Sequence, residues 1–190
     1  MYSICRGIID IAWMVFLLVW LLASFSSKSD ARRQSSGSRL QQALPVLLAY
    51  FLLFNRGVAI GPLGLRFVPA EPFWWILGAV LTLAGILIAF WARFFLGRNW
   101  SATVTVKQDH ELVRSGPYAI VRHPIYSGLL LSILGTALFV GEVRGLLALL
   151  LALLGWKWKS LQEESFMQEQ FGESYSIYRR QVKALIPFVW

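Results

Sequence analysis

The stretch Gly116-Pro-Tyr118-Ala-Ile-Val-Arg122-His123-Pro124-Ile125-Tyr126-Ser-Gly128 gathers most of the polar chemistry of this chain between two long apolar segments. A second charged patch, Lys159 to Glu164, follows the last apolar segment. These residue types suit a cationic, zwitterionic ligand held at a membrane surface. Arg122 can pair bidentately with a carboxylate, and His123 can donate or accept near neutral pH. Tyr118 and Tyr126 offer aromatic faces with hydroxyl handles, and Glu163 can take an ammonium. Pro124 is preorganised for the first position of a helix, so His123 and Tyr126 are presented where the helix dipole favours anions. Lys159 and Glu163, four residues apart, share one helix face. The same residues also fit a plain interfacial belt of aromatic and basic side chains with a surface ion pair.

Other chemistries find little support. His110 and His123 are the only histidines and Cys5 is the only cysteine, with no HxxxH or HExxH spacing, so neither a metal site nor an intramolecular disulfide is expected. Cys5 reads as a buried thiol. The GxSxG elbow of a serine hydrolase and the GxxxxGK loop of a nucleotide triphosphatase are both absent.

The elements that must position these groups are apolar. Of 190 residues, 57% are hydrophobic and 15% charged, with nine Trp and thirteen Phe, which is the composition of an integral membrane protein. A spanning helix needs about 20 apolar residues, because backbone groups in lipid can be satisfied only internally. Five segments approach this: Ile8 to Phe25, Ala43 to Ile60, Phe73 to Leu96, Ile125 to Val140 and Val143 to Trp158. Only Gly141 and Glu142 separate the last two, which predicts a tight helical hairpin. The second carries Asn55 and Arg56, tolerable if Arg56 snorkels or faces a polar cavity. The first is too long for a usual signal-peptide core.

The formal charge of +8 points to membrane topology more than to nucleic acid. Lys28, Arg32, Arg33 and Arg39 lie between the first two segments, five basic residues lie from Arg93 to Arg122, and five more lie from Lys157 onward. The opposite loops hold only Arg66 and Arg144. This places the N-terminus outside and the candidate chemistry, with the C-terminus, on the cytoplasmic face. Ser26 to Ser38 reads as a flexible loop. Pro62, Gly64, Pro69 and Pro72 break the second connection into turns, ahead of the interfacial pair Trp74 and Trp75. Residues 97–124 should pack as a small cap. The tail from Lys159 to Tyr178 has helical spacing, with Gly172 as a stop, and should fold back on that cap. The expected architecture is therefore an all-α integral membrane protein with about five transmembrane helices. Residues 1–96 form the N-terminal three, and residues 97–190 the catalytic region with its cytoplasmic cofactor-binding cap.

Gly116-x-Tyr118-x-x-x-Arg122-His123-Pro124-x-Tyr126-x-Gly128, then Glu163-Glu164, then Phe171-Gly172-x-x-Tyr175-x-x-Tyr178, resembles the isoprenylcysteine carboxyl methyltransferase family. The resemblance covers roughly Asn99 to Pro187, with both blocks in the family's order. It implies a pocket for S-adenosylmethionine, with S-adenosylhomocysteine as product, built from the loop before the penultimate helix and from the tail after the last one. Carried over, His110, Glu111, Leu112 and Val113 form a strand-like wall, with Gly116 and Tyr118 beyond it. His123, Pro124, Ile125 and Tyr126 follow at the start of the helix, and Glu163 approaches the cofactor from the tail. Arg122 supports the cluster electrostatically, and Asn99-Trp100-Ser101 takes a positioning role. Four residues before the cofactor glutamate, the family's carboxyl methyltransferases have an arginine that orients the substrate carboxylate. Here stands Lys159, which keeps the charge and loses the planar fork.

The implied reaction is methyl transfer to a lipophilic acceptor entering from the bilayer. With an isoprenylcysteine-like carboxylate as acceptor, the catalytic set is Arg122, Lys159 and Glu163, of which Lys159 and Arg122 hold the substrate. An ionised carboxylate needs no general base. With a phospholipid amine instead, the ammonium must first lose a proton, and Glu163, Glu164 or His123 becomes the base. Two further alternatives are a nicotinamide-dependent membrane reductase and a noncatalytic scaffold whose basic loop attracts anionic lipid. The expected partners are the bilayer and the methyl acceptor, with no nucleic acid and no metal.

Overall fold

A computed structural model describes residues 1–24, 30–33, 36–97, 105–107 and 112–187, with only the backbone described for residues 24, 30–33, 36–42 and 105–107. The helices are α1 (Tyr2–Ser24), α2 (Ser36–Phe54), α3 (Pro72–Leu96), α4 (Pro124–Val140), α5 (Val143–Phe171) and α6 (Glu173–Gln181). Every expected apolar segment is helical, and the bounds differ for physical reasons. α2 stops at Phe54, short of Ile60, because the Asn55 side chain accepts a hydrogen bond from Gly57 N (2.9 Å) and starts a 3-10 turn over Arg56–Val58. Arg56 therefore stands beyond the helix end. α5 does not end at Trp158 but carries straight on to Phe171, where Gly172 (φ 51°) breaks it and α6 begins.

Among the described residues the all-α expectation has one exception. Asp30–Arg33 (β1) pairs antiparallel with Thr105–Lys107 (β2), joining the connection after α1 to the one after α3. The basic loop expected to be flexible thus contributes a strand, because its extended backbone finds a partner across the same end of the bundle.

α1 over Tyr2–Ala23 and α3 over Pro72–Leu96 are long and apolar enough to cross a membrane, while α4 and the apolar part of α2, Ala43–Phe54, are shorter. Large apolar side chains lie exposed along both long helices, among them Ile4, Ile11, Leu17 and Leu21 on α1 and Phe73, Val80, Leu87 and Phe94 on α3. In water such a surface would be costly; against hydrocarbon it is the favourable arrangement.

The core seam runs between α3 and α4 and is built on small residues. Gly85 faces the backbone of Gly128, and Gly78 faces Gly135, two contacts that let the helices approach closely. Between them, Thr82 Oγ1 lies 3.2 Å from Thr136 Oγ1 and Ser132 donates to Thr82 O (3.1 Å), while Trp13 Nε1 of α1 donates to Thr136 Oγ1 (3.0 Å). A Cβ at Gly85 would stand 2.3 Å from Gly128 O. Gly85→Ala is therefore expected to force the helices apart, at about 1–3 kcal/mol, seen as a drop in thermal unfolding temperature. Gly7→Ala, whose Cβ meets nothing within 4 Å, is the control that should leave that temperature unlowered.

The far end of the bundle is tied by Arg144. Its buried guanidinium donates to Leu52 O (2.6 Å) and Leu53 O (3.0 Å), satisfying carbonyls that the last turn of α2 leaves without intrahelical partners. Glu142 balances it at 2.6 Å.

Candidate active site

Three elements meet at the start of α4. A 3-10 turn over Gly116–Ala119 sets the approach, and Gly116 needs its glycine: φ is +58°, and a Cβ would stand 2.5 Å from the ring of Phe95. Pro124 opens the helix, and His123 at the cap position makes no side-chain capping bond, so its ring is turned toward α5. The tail after α6 runs alongside and fixes this loop through the backbone. Arg122 N donates to Lys183 O (2.8 Å), His123 N to Ala184 O (3.0 Å), and Tyr178 OH to Tyr118 O (2.6 Å). Of the expected packing of the tail on residues 97–124, these contacts at Tyr118, Arg122 and His123 are the described part, and they come from Tyr178 and the segment after α6.

The charged half of α5 supplies the other wall. Successive helix residues lie about 100° apart, so Glu163 and Glu164 face different neighbours. Glu163 accepts from Tyr126 OH at 2.5 Å and lies 3.4 Å from His123 Nδ1. Glu164 receives Arg122 (2.7 Å), His123 Nε2 (3.1 Å) and Arg179 (3.4 Å). The rings of His123, Tyr126 and Trp156 lie nearly parallel, with centroids 5.6 Å apart for the first pair and 6.1 Å for the second. Lys159 Nζ sits 5.7 Å from the centre of the Tyr126 ring.

The electrostatics follow from this geometry. Burial alone would lower the pKa of His123, but its hydrogen bonds to Glu163 and Glu164 raise it above the ordinary 6.5. A neutral imidazole could donate to only one of those carboxylates; the protonated ring donates to both. Burial would raise Glu163, yet the bond from His123 and the charge of Lys159 hold it below its ordinary range. Burial likewise opposes ionisation of Glu164, which His123 and Arg122 outweigh, bringing it down to about 2.

The pH dependence has two limbs. A raised histidine pKa adds stability below about 6.5, lost as pH rises through the higher folded value; a lowered carboxylate pKa adds stability above about 4.5, lost as pH falls toward 2. Thermal unfolding should be most resistant between those limits and weaken on both sides. His123→Gln should flatten the alkaline limb and, because the same ring helps hold Glu163 and Glu164 down, also shrink the acid limb; an unchanged alkaline limb would show that His123 does not carry it.

The structure brings Arg122, His123, Tyr126, Lys159 and Glu163 together. Arg122 is spent on Glu164 and on the carbonyls of Arg179 (3.2 Å) and Val182, so it clamps the tail. Tyr118 is buried with its hydroxyl 3.4 Å from Ala92 O, and Pro124 and Ile125 are buried where the loop meets the bundle. Leu112 and Val113 are half-buried ahead of the turn, with Val113 against the core. His110, Glu111 and Asn99-Trp100-Ser101 lie outside the described residues. Sequence reasoning named Glu164 only in the Glu163-Glu164 pair and as an alternative base, and missed Trp156. Glu164 is the hub for three cations, and Trp156 closes the ring stack one turn before Lys159. Helical spacing from Glu163 back through Lys159 to Trp156 carried the signal for the second.

A family profile described as phospholipid methyltransferase matches residues 73–174, more than half of the chain and the whole span from α3 to the start of α6. The chain belongs to the phospholipid methyltransferase family. Proteins similar to it include the protein-S-isoprenylcysteine O-methyltransferase of Schizosaccharomyces pombe, 39% identical over 98 residues that make up 49% of this chain and 41% of the relative. A probable protein-S-isoprenylcysteine O-methyltransferase of Oryza sativa subsp. indica is 29% identical over 132 residues, 66% of this chain and 68% of the relative. A solved eukaryotic intramembrane Ras methyltransferase, the isoprenylcysteine carboxyl methyltransferase, is 25% identical and covers 82% of this chain and 54% of its own, at a TM-score of 0.43. The match thus spans about two fifths of the fission yeast relative and two thirds of the rice one.

Proposed function

We propose that this protein is an S-adenosylmethionine-dependent methyltransferase acting at the membrane on a lipophilic acceptor, the carboxylate of an isoprenylcysteine-like molecule. The observation that carries the reading is the ionised, mostly buried Glu163 set against the parallel rings of His123, Tyr126 and Trp156. A carboxylate flanked by aromatic faces complements a ligand that bears both a sulfonium and an ammonium. The donor set therefore fits the cofactor, which supplies an electrophilic methyl group when bound. Glu163, His123 and Tyr126 hold it, with Leu112, Val113, Gly116 and Tyr118 shaping the approach and His110 and Glu111 completing the wall. Pro124 and Ile125 contribute by fixing the turn.

Lys159 stands one helical turn before Glu163 beside the Tyr126 ring and holds the acceptor carboxylate close to that site. The carboxylate arrives ionised, so no side chain has to remove a proton. Arg122 positions the site through Glu164 and the tail and does not touch the substrate. The remaining work of the protein is to hold the two reactants in near-attack geometry and exclude water. In this reading α2, α4 and the apolar half of α5 join α1 and α3 as spans, with the N-terminus outside and the site on the cytoplasmic face.

Calorimetry on the purified protein in detergent tests the cofactor. S-adenosylmethionine and S-adenosylhomocysteine should each bind one per chain, with NADPH giving no heat. NADPH binding with no response to either methionine derivative would replace this reading with the reductase one.

A further inference from the structure

α4 starts at the candidate active site and ends at Val140, so its two ends lie about 25 Å apart at 1.5 Å per residue. At that far end is a cavity of about 280 Å³ lined by residues of every element that reaches it, including Tyr2 and Arg6 of α1, Trp75 of α3 and Phe139 of α4. Arg56, Arg66 and Arg144 complete a set of four arginines around it. Every other lysine and arginine belongs to the region from Lys28 to Arg39, from Arg93 to Arg122 or from Lys157 onward. The basic residues outside those regions are thus all arginine, and all converge on one cavity.

Their pairing leaves a charge excess. Arg6 pairs with Asp10 (2.7 Å) and Arg144 with Glu142 (2.6 Å). Among the described residues no carboxylate lies within ion-pair distance of Arg56 or Arg66, both exposed. Arg56 instead donates to Tyr2 OH (3.1 Å), and Arg66 Nε donates to Val68 O (3.1 Å). The frame is held in place beforehand. Phe67 N donates to Gly141 O (3.0 Å) and Val143 N to Leu65 O (2.9 Å), pinning the α2–α3 connection to the α4–α5 turn. Tyr2 stacks on Phe139 at 5.0 Å and meets Trp75 edge-on at 5.4 Å, giving the cavity an aromatic wall.

Arginine rather than lysine is the residue for gripping planar or tetrahedral oxyanions through paired N–H groups. Tyr and Trp beside it are the side chains that settle at the headgroup level of a bilayer. We propose that this cavity is a second binding site, distinct from the methyltransferase site, for a phosphate oxyanion, with Arg56 and Arg66 as its ligands and an anionic phospholipid headgroup or free phosphate as its source. The proposal does not depend on the methyltransferase reading.

Native mass spectrometry of the detergent-purified protein with dioleoylphosphatidylglycerol or dioleoylphosphatidylcholine, together with thermal unfolding in inorganic phosphate, separates the sources. A lipid site predicts one phosphatidylglycerol retained per chain where phosphatidylcholine is not, and at least a tenfold lower occupancy in Arg56→Gln/Arg66→Gln. A free-anion site predicts a rise in unfolding temperature with phosphate, lost in the double variant, and no preference between the lipids. Wild-type protein that neither discriminates the lipids nor responds to phosphate overturns the proposal, and that comparison needs no variant. Equal occupancy or phosphate response in a double variant with the wild-type elution profile overturns it as well.

Discussion

Replacing Glu163 with Gln is expected to weaken S-adenosylmethionine binding about 100-fold, roughly 2.7 kcal/mol, while leaving the fold intact. Glutamine keeps the shape of the side chain and can still accept from Tyr126 OH, which donates at 2.5 Å in the wild type. What it loses is the negative charge. Lys159 and His123 remain beside it, so a pocket that was balanced for a cation becomes repulsive to one. The effect is large because the carboxylate is mostly removed from water, where charge interactions are least screened. Calorimetry on wild type and variant reads it directly. Unchanged affinity in a folded variant would remove Glu163 from the cofactor site.

Glu164→Gln should instead damage the scaffold, at about 3–5 kcal/mol. Three cations converge on this one buried carboxylate, and Arg122 is itself nearly inaccessible, with 9% of its side chain exposed. Neutralising the hub leaves Arg122 buried without a counter-charge, a loss far larger than that of an exposed pair. Because Arg122 also holds Arg179 O and Val182 O, the segment after α6 should come away with it and become open to limited proteolysis. Glu173→Gln serves as the comparison: its pair with Arg180 is largely exposed on both sides and should contribute little. Equal losses from the two substitutions would mean that the Glu164 hub is as screened as a surface pair.

Much of this arrangement is legible in the amino-acid sequence. Apolar runs located α1 to α5, and those of α1 and α3 are long enough to cross a membrane, where a helix must satisfy its own backbone and so writes its length into composition. Gly172 and Pro124 marked a helix end and a helix start through their own backbone preferences. Pairings at a distance were not legible. Nothing in Asp30–Arg33 or Thr105–Lys107 announces the other as a strand partner, and a basic, serine-rich loop reads as solvated. The partner of Arg122 was not legible for a related reason. An arginine suits a substrate carboxylate as well as it suits Glu164, and only the packing of the tail shows which carboxylate it meets. Arg144 likewise counted as a loop charge until its contacts with Leu52 O and Leu53 O made it the cap of another helix.

Methyl transfer to a lipophilic carboxylate is tested most directly by the chemical identity of the product. The purified protein is incubated with methyl-labelled S-adenosylmethionine, N-acetyl-S-farnesylcysteine and phosphatidylethanolamine together, and the label is followed through alkaline hydrolysis. Label is expected in the farnesylcysteine as a base-labile methyl ester, released as methanol. Base-stable label in the phosphatidylethanolamine amine, with none in the ester, would contradict methyl transfer to the carboxylate.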